Sequence, residues 1–203
     1  MKTISKRLAA ALLAILMLVS FCGCSSATKQ AESSVRGMFD AFKTLDFEKA
    51  GEYTNIDAMK LSKVEESETT NYEMFMNALF NRLDYNIISS EEVDSETVNV
   101  VVKITAVDIK PVLGEYIVAA LQYAFANAFA NPQPTEEETN KKMEELFIAS
   151  ASKEDLATVT NEVTIKVTKK DDKWVIASDD TLVDAIFGGL LAATEELADS
   201  FGE

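Results

Sequence analysis

The side chains of this sequence that could do chemistry are acids, tyrosines and two cysteines. No histidine occurs in its 203 residues, so the commonest general base and the commonest metal ligand are both missing. Ser-His-Asp and Cys-His arrangements are excluded, as are zinc sites that use histidine. The acids come in short runs: Glu65-Glu66, Glu91-Glu92, Glu136-Glu137-Glu138, Asp171-Asp172 and Asp179-Asp180. Clustered carboxylates suit calcium, yet no run has the D-x-[DN]-x-[DN]-G spacing of a calcium loop. Caps, turns and solvated faces account for them, and no metal is expected. Cys22 and Cys24 lie close together near the start and no other cysteine follows. The rest of the chain must therefore hold its fold by packing, without a disulfide.

Cys24 is the side chain whose surroundings specify a reaction. Lys2, Lys6 and Arg7 precede an unbroken apolar run, Leu8 to Val19. A basic start and a short apolar run make a secretory signal, too short for a spanning helix. The next residues, Phe21-Cys22-Gly23-Cys24, resemble the lipobox of bacterial lipoproteins: Leu, a small residue, Gly or Ala, then Cys. Gly23 and Cys24 fill the two most diagnostic places, whereas Phe21 replaces the usual Leu and Cys22 is an uncommon second residue. The resemblance implies a diacylglycerol on the Cys24 sulfur and cleavage between Gly23 and Cys24. The alternative is a plain secretory signal cut nearby. The expected organisation is a signal over 1–23, a lipidated tether over 24–30 and one domain over 31–203. A six-residue tether, Ser25 to Gln30, would reach about 20 Å. The expected location is the extracytoplasmic face of the cell membrane, and no cofactor is expected beyond the diacylglycerol.

The formal charge is −15. Removing the signal takes away Lys2, Lys6 and Arg7 and no acid, leaving 16 bases against 34 acids, a net of −18. Nucleic acid is excluded as a partner by this sign. Anionic headgroups would repel the domain, so acyl chains must hold it at the membrane, and two or more make a stable anchor.

Periodicity supplies the elements. Val35, Met38, Phe39, Phe42 and Leu45 predict a first helix over Ala31 to Leu45, and Asp46 can cap a second over Phe47 to Tyr53. A third is predicted over Ser67 to Leu83, striped by Tyr72, Phe75, Met76, Leu79, Phe80 and Leu83. The period then changes to two. Tyr85 to Val93 and Thr97 to Ile109 read as a hairpin, with Val98, Val100, Val102, Ile104 and Ala106 on one face. Thr158 to Lys169 and Trp174 to Ala177 read as a second hairpin around the turn at Lys170 to Lys173, with Trp174 and Ile176 in the core. A last helix follows Asp179 or Asp180, and Gly188-Gly189 marks a bend or close contact in it. Between the hairpins, Pro111 opens a helix over Val112 to Ala130, and Thr135 with Glu138 makes the capping box of its partner, to about Ile148. The fold class is α+β: helices on a curved antiparallel sheet of about four strands, with the helical pair 111–148 inserted between two hairpins.

The opening VRGMFDAFKTLDFEKAGEYTN, the closing VTIKVTKKDDKWVIASDD and the signal in front together resemble nuclear-transport-factor-2-like domains, the cone-shaped, cystatin-like domains of Gram-positive lipoproteins of unknown function. Enzymes of that cone fold place an acid or tyrosine inside the cavity, where an apolar setting raises a carboxyl pKa. Asp40, Asp46, Tyr53, Tyr72, Tyr85 and Asp108 are the candidates here, and no spacing singles one out. The expected function is instead a non-catalytic, membrane-tethered module that binds a small apolar ligand or an envelope protein. A cone-fold enzyme is the alternative, and a purely structural envelope protein the third option. The helix Val112 to Ala130 combines small alanines with Tyr116, Tyr123, Phe125 and Phe129. It is more apolar than a one-sided surface helix needs, so the pair is expected to cover the mouth of the sheet, with Tyr116, Leu121 and Phe125 facing a ligand.

Overall fold

The computed structural model describes residues 26–54 and 72–201. Its elements run α1 (Ser26–Lys43), α2 (Phe47–Tyr53), α3 (Tyr72–Phe80), β1 (Asp84–Asp94), β2 (Thr97–Val107), α4 (Ile109–Asn127), α5 (Glu136–Ala151), β3 (Thr158–Lys170), β4 (Lys173–Ala177), α6 (Asp180–Ile186) and α7 (Leu190–Phe201). The strands make one antiparallel sheet in the order β1-β2-β3-β4. The fold is α+β, with helices on a four-stranded antiparallel sheet and a helical pair between its two hairpins. The signal, Gly23, Cys24 and the predicted start of the third helix lie outside the described residues, as do the side chains of Tyr72 and Phe75.

Alternation builds the sheet. Val98, Val100, Val102, Ile104 and Ala106 of β2 are all buried, beside Val163, Ile165 and Val167 of β3 and Trp174 and Ile176 of β4. The intervening residues, such as Asn99, Lys103, Thr164 and Lys166, make the opposite face polar, and Thr105 and Thr160 hydrogen-bond across it at 3.0 Å. One sheet face is therefore wet and the other carries the core. Helix α1 packs against β1, β2 and β4, and α6 against β2 and β3. Under α1, Phe42 stacks on Phe80 at 5.6 Å and meets Phe47 at 6.0 Å, while Phe39 stacks on Tyr85 at 4.7 Å. The buried Ser34 hydroxyl donates to the Trp174 carbonyl at 2.7 Å, fixing α1 to β4.

Several boundaries differ from the sequence reading, two of them for a visible physical reason. Helix α1 begins at Ser26, so residues 26–30 of the expected tether are helical, and Thr28 is buried there. Thr28 and Ala31 extend the stripe of Val35 with residues too small or too polar to show in a count of apolar side chains. Strand β2 ends at Val107 and Ile109 is already helical, because Asp108 accepts the Lys110 N–H and caps α4. Pro111 is then the third helical residue, still in the first turn, where no N–H is missed. The Thr135–Glu138 capping box is present, and α5 runs on to Ala151.

The Gly188-Gly189 bend has a steric cause. Both glycines have positive φ (63° and 86°), and the Gly188 carbonyl accepts the Ile109 N–H at 3.1 Å. A Cβ on Gly188 would lie 1.7 Å from the Val107 carbonyl oxygen. The break between α6 and α7 thus seats the chain against the junction of β2 and α4.

Candidate functional site

Val107 and Thr158 face each other at the ends of β2 and β3, so all of 108–157 leaves and returns at one end of the sheet. The base of this arm is core: Ile109, Val112 and Ala151 are fully buried. Tyr116 meets Phe147 edge-on at 5.8 Å, and Lys153 pairs with Glu115 at 2.5 Å. Lys110 reaches Glu196 of α7 at 2.6 Å. Arg82 donates to the carbonyls of Lys153, Glu154 and Leu156, holding the returning chain to the end of α3.

Beyond this base the arm opens to solvent. Val118 and Leu121 are about half exposed (55% and 52%), Phe125 is 74% exposed and Phe129 97%. No charged residue stands between Glu115 and Glu136. Between α4 and α5 runs an open groove of about 530 Å³, with Tyr116, Ile117, Ala120, Leu121, Tyr123 and Met143 among its lining. Its size is that of a small-molecule site. Ala120 and Ala124 of α4 and Ala128 at its C-terminal cap, four residues apart, line it with methyl groups only, which keeps it open.

The pair was expected over the mouth of the sheet, and it does not lie there. Helix α4 packs on α5 and α7, and α5 on α4 and α3. The apolar face of the sheet is already covered by the stripes of α1 and α6 and leaves no surface for a cover. Tyr116 and Leu121 do line a groove, but one within the pair. Phe125 is outside the groove's lining and faces solvent. Sequence reasoning missed Met143 on the facing wall and the openness of Val118 and Phe129. The signal that would have found them is the long uncharged interval, which a surface helix rarely has.

The candidate acids and tyrosines do other work. Asp46 caps α2 by accepting the Lys49 N–H, and Asp108 caps α4. The Tyr53 ring lies against Gly37 of α1, so closely that a Cβ there would overlap it. Among the candidates whose side chains are described, Asp40 and Tyr85 come together: the Tyr85 hydroxyl donates to Asp40 at 2.9 Å, on the surface. Burial of the ring, then the bond to Asp40, push the Tyr85 hydroxyl pKa up, away from what a tyrosine base needs. Beside them Asp84 is held below the usual carboxylate range by its bond to Lys43. Among the described residues, the buried polar side chains are Thr28, Ser34, Thr54 and Ser150, and none is a carboxylate.

No family model matches the chain, and neither does any curated protein. Among solved structures, one of Bacillus subtilis described as a "putative lipoprotein (ycdA)" matches 69% of this chain at 14% identity, with a TM-score of 0.42. This chain spans about half of that one (49%). No described helix is long and apolar enough to cross a membrane.

Proposed function

We propose that this chain is a lipid-anchored extracytoplasmic protein whose non-catalytic task is to bind an apolar ligand or an envelope protein through the α4–α5 arm. The anchor rests on the sequence: Gly23-Cys24 directly after a basic start and an apolar run. The binding role rests on one observation. The outer part of the arm exposes Val118, Leu121, Phe125 and Phe129 around an apolar groove. Contiguous apolar surface of this kind marks interaction sites on proteins that otherwise stay soluble. The resemblance to cone domains in the sequence adds no activity, because fold alone does not specify one. An enzyme of the cone fold would ask for a desolvated carboxylate, and Asp40, Asp46 and Asp108 are exposed or half-exposed.

Two measurements test this reading. Replacing 118–145 by a short Gly-Ser turn keeps Tyr116 against Phe147 and the buried base. This variant should stay folded and lose the fluorescence that an apolar dye such as ANS gains on the intact protein. Undiminished dye binding would place the site elsewhere. Intact-mass analysis of the mature native protein should show an acylated Cys24 at its start, and Cys24→Ser should leave the signal uncut or the protein released. Any other mature N-terminus removes the anchor.

A further inference from the structure

We infer that the arm's occupant is a cationic amphipathic helix of another protein, laid along α4 with its apolar face in the groove and its lysines or arginines toward the acids that border it. This rests on the arm being the binding element, and it names the chemistry of what binds.

Shape comes first. From Tyr116 to Asn127 the groove-lining part of α4 is about 17 Å long, roughly three helical turns. Ala120, Ala124 and Ala128 recur at the spacing that puts them on one line of the helix, and methyl groups let a second helix approach closely. Apolar anchors at i, i+3, i+4 and i+7 on such a helix are how helix-in-groove recognition works. A small ligand filling the groove would leave Phe125 uncovered, since it stands outside the lining, one turn on from Leu121 at the groove's edge. A helix laid along that edge meets both Leu121 and Phe125.

Charge then selects the partner. The uncharged interval 116–135 is bounded by Glu115, already paired with Lys153, and by Glu136, Glu137 and Glu138, of which Glu138 turns back to Thr135. Glu136 and Glu137 are the acids left facing solvent there, with Lys141 and Lys142 a turn further along α5. The whole chain carries −15. A second copy brings the same sign to the contact, and so does an anionic lipid surface; only a basic partner gains from this field. Position also speaks against the bilayer that would hold the N-terminus. Glu32 bonds Ser90, Asp40 bonds Tyr85 and Lys43 bonds Asp84, so α1 runs antiparallel to β1. Ser26 therefore starts at the β1–β2 turn end of the sheet. The arm is rooted at the opposite end, where Asp84 pairs with Thr105, about 30 Å away by strand length.

The test uses the folded chain and two peptides of about 18 residues with one Leu/Phe face, one rimmed with lysine and the other with glutamate. Fluorescence anisotropy should show the lysine peptide binding at least about tenfold more tightly, with a gain in helical circular dichroism. Leu121→Ser and Phe125→Ser should each weaken it several-fold, and both residues are exposed enough for the fold to survive. Equal binding of the two peptides overturns the cationic partner while leaving the arm as a binding element. Lysine-peptide binding that ignores Leu121→Ser and Phe125→Ser is bare charge attraction and overturns the inference. So does binding to phosphatidylglycerol vesicles in preference to the peptide, or self-association in sedimentation that Phe125→Ser abolishes. If neither peptide binds but the dye still reports the arm, this inference alone falls. If the dye fails as well, the proposed function falls with it.

Discussion

Phe42 and Phe125 are the same side chain on helices of nearly equal length, 18 residues for α1 and 19 for α4. Phe42 is wholly buried among Phe47, Phe80 and the sheet, whereas Phe125 is 74% exposed. Helix α4 is the more apolar by sequence, yet α1 is the one at the centre of the fold. The difference lies in arrangement and in neighbours. The apolar residues of α1 fall on one stripe, and the sheet offers that stripe a matching face. Those of α4 are spread around its circumference, so after its first turn no single face can bury them. Within the arm the same contrast appears over a few residues: Val112 is core and Val118 is open.

Six substitutions sharpen or break this contrast. Gly188→Ala should be the most damaging, because it strains a positive φ and drives a Cβ into the Val107 carbonyl where arm and body join. A loss of about 5 kcal/mol or more is expected by urea unfolding; a mild loss would mean the junction yields and the arm is only loosely rooted. Next, Phe42→Ala should cost about 3–5 kcal/mol, as should Trp174→Ala, which is 7% exposed on β4. Phe125→Ser should change stability by less than about 0.5 kcal/mol, and equal effects at Phe42 and Phe125 would dissolve the contrast. Ser34→Ala strips the Trp174 carbonyl of its buried donor and should cost about 1–3 kcal/mol. Lys43→Met should have a small effect that depends on pH. The Asp84 pKa is lowered in the fold, so its contribution is present above the unfolded pKa and fades as pH falls through the folded one. Asp84 is largely exposed, so solvent screening keeps this to under about 1 kcal/mol. The variant should lose it at neutral pH and match the parent in acid; a difference that grows toward low pH would reverse the assigned sign.

Most of the sheet was legible because strand alternation is local: β2 and β3 show their buried faces in the residues themselves. The Thr135–Glu138 box, the burial of Trp174 and the Gly188-Gly189 bend were legible for the same reason. The arm's position was not. Periodicity tells which side of a helix is apolar, but not whether another element waits there, and the places beside the sheet were taken by α1 and α6. Asp46 and Asp108 entered as candidate acids because a capping carboxylate and a catalytic one look alike in a single sequence. The start of α1 was missed because Thr28 and Ala31 carry too little apolar signal to mark a buried face.

That early start of α1 bears on how the molecule would stand. With the proposed acyl group on Cys24, Ser25 is the one residue of sequence before the helix at Ser26. A long flexible leader would let the domain sweep a wide volume and meet soluble partners. A junction this short would confine it, so that the arm would be presented within a thin layer about a sheet's length above the lipid. Confinement of that kind raises the effective concentration toward partners held in the same membrane and lowers it for those in bulk solution. The partners most readily met would be those carrying a basic helix at that height, on a segment that rises from the same bilayer.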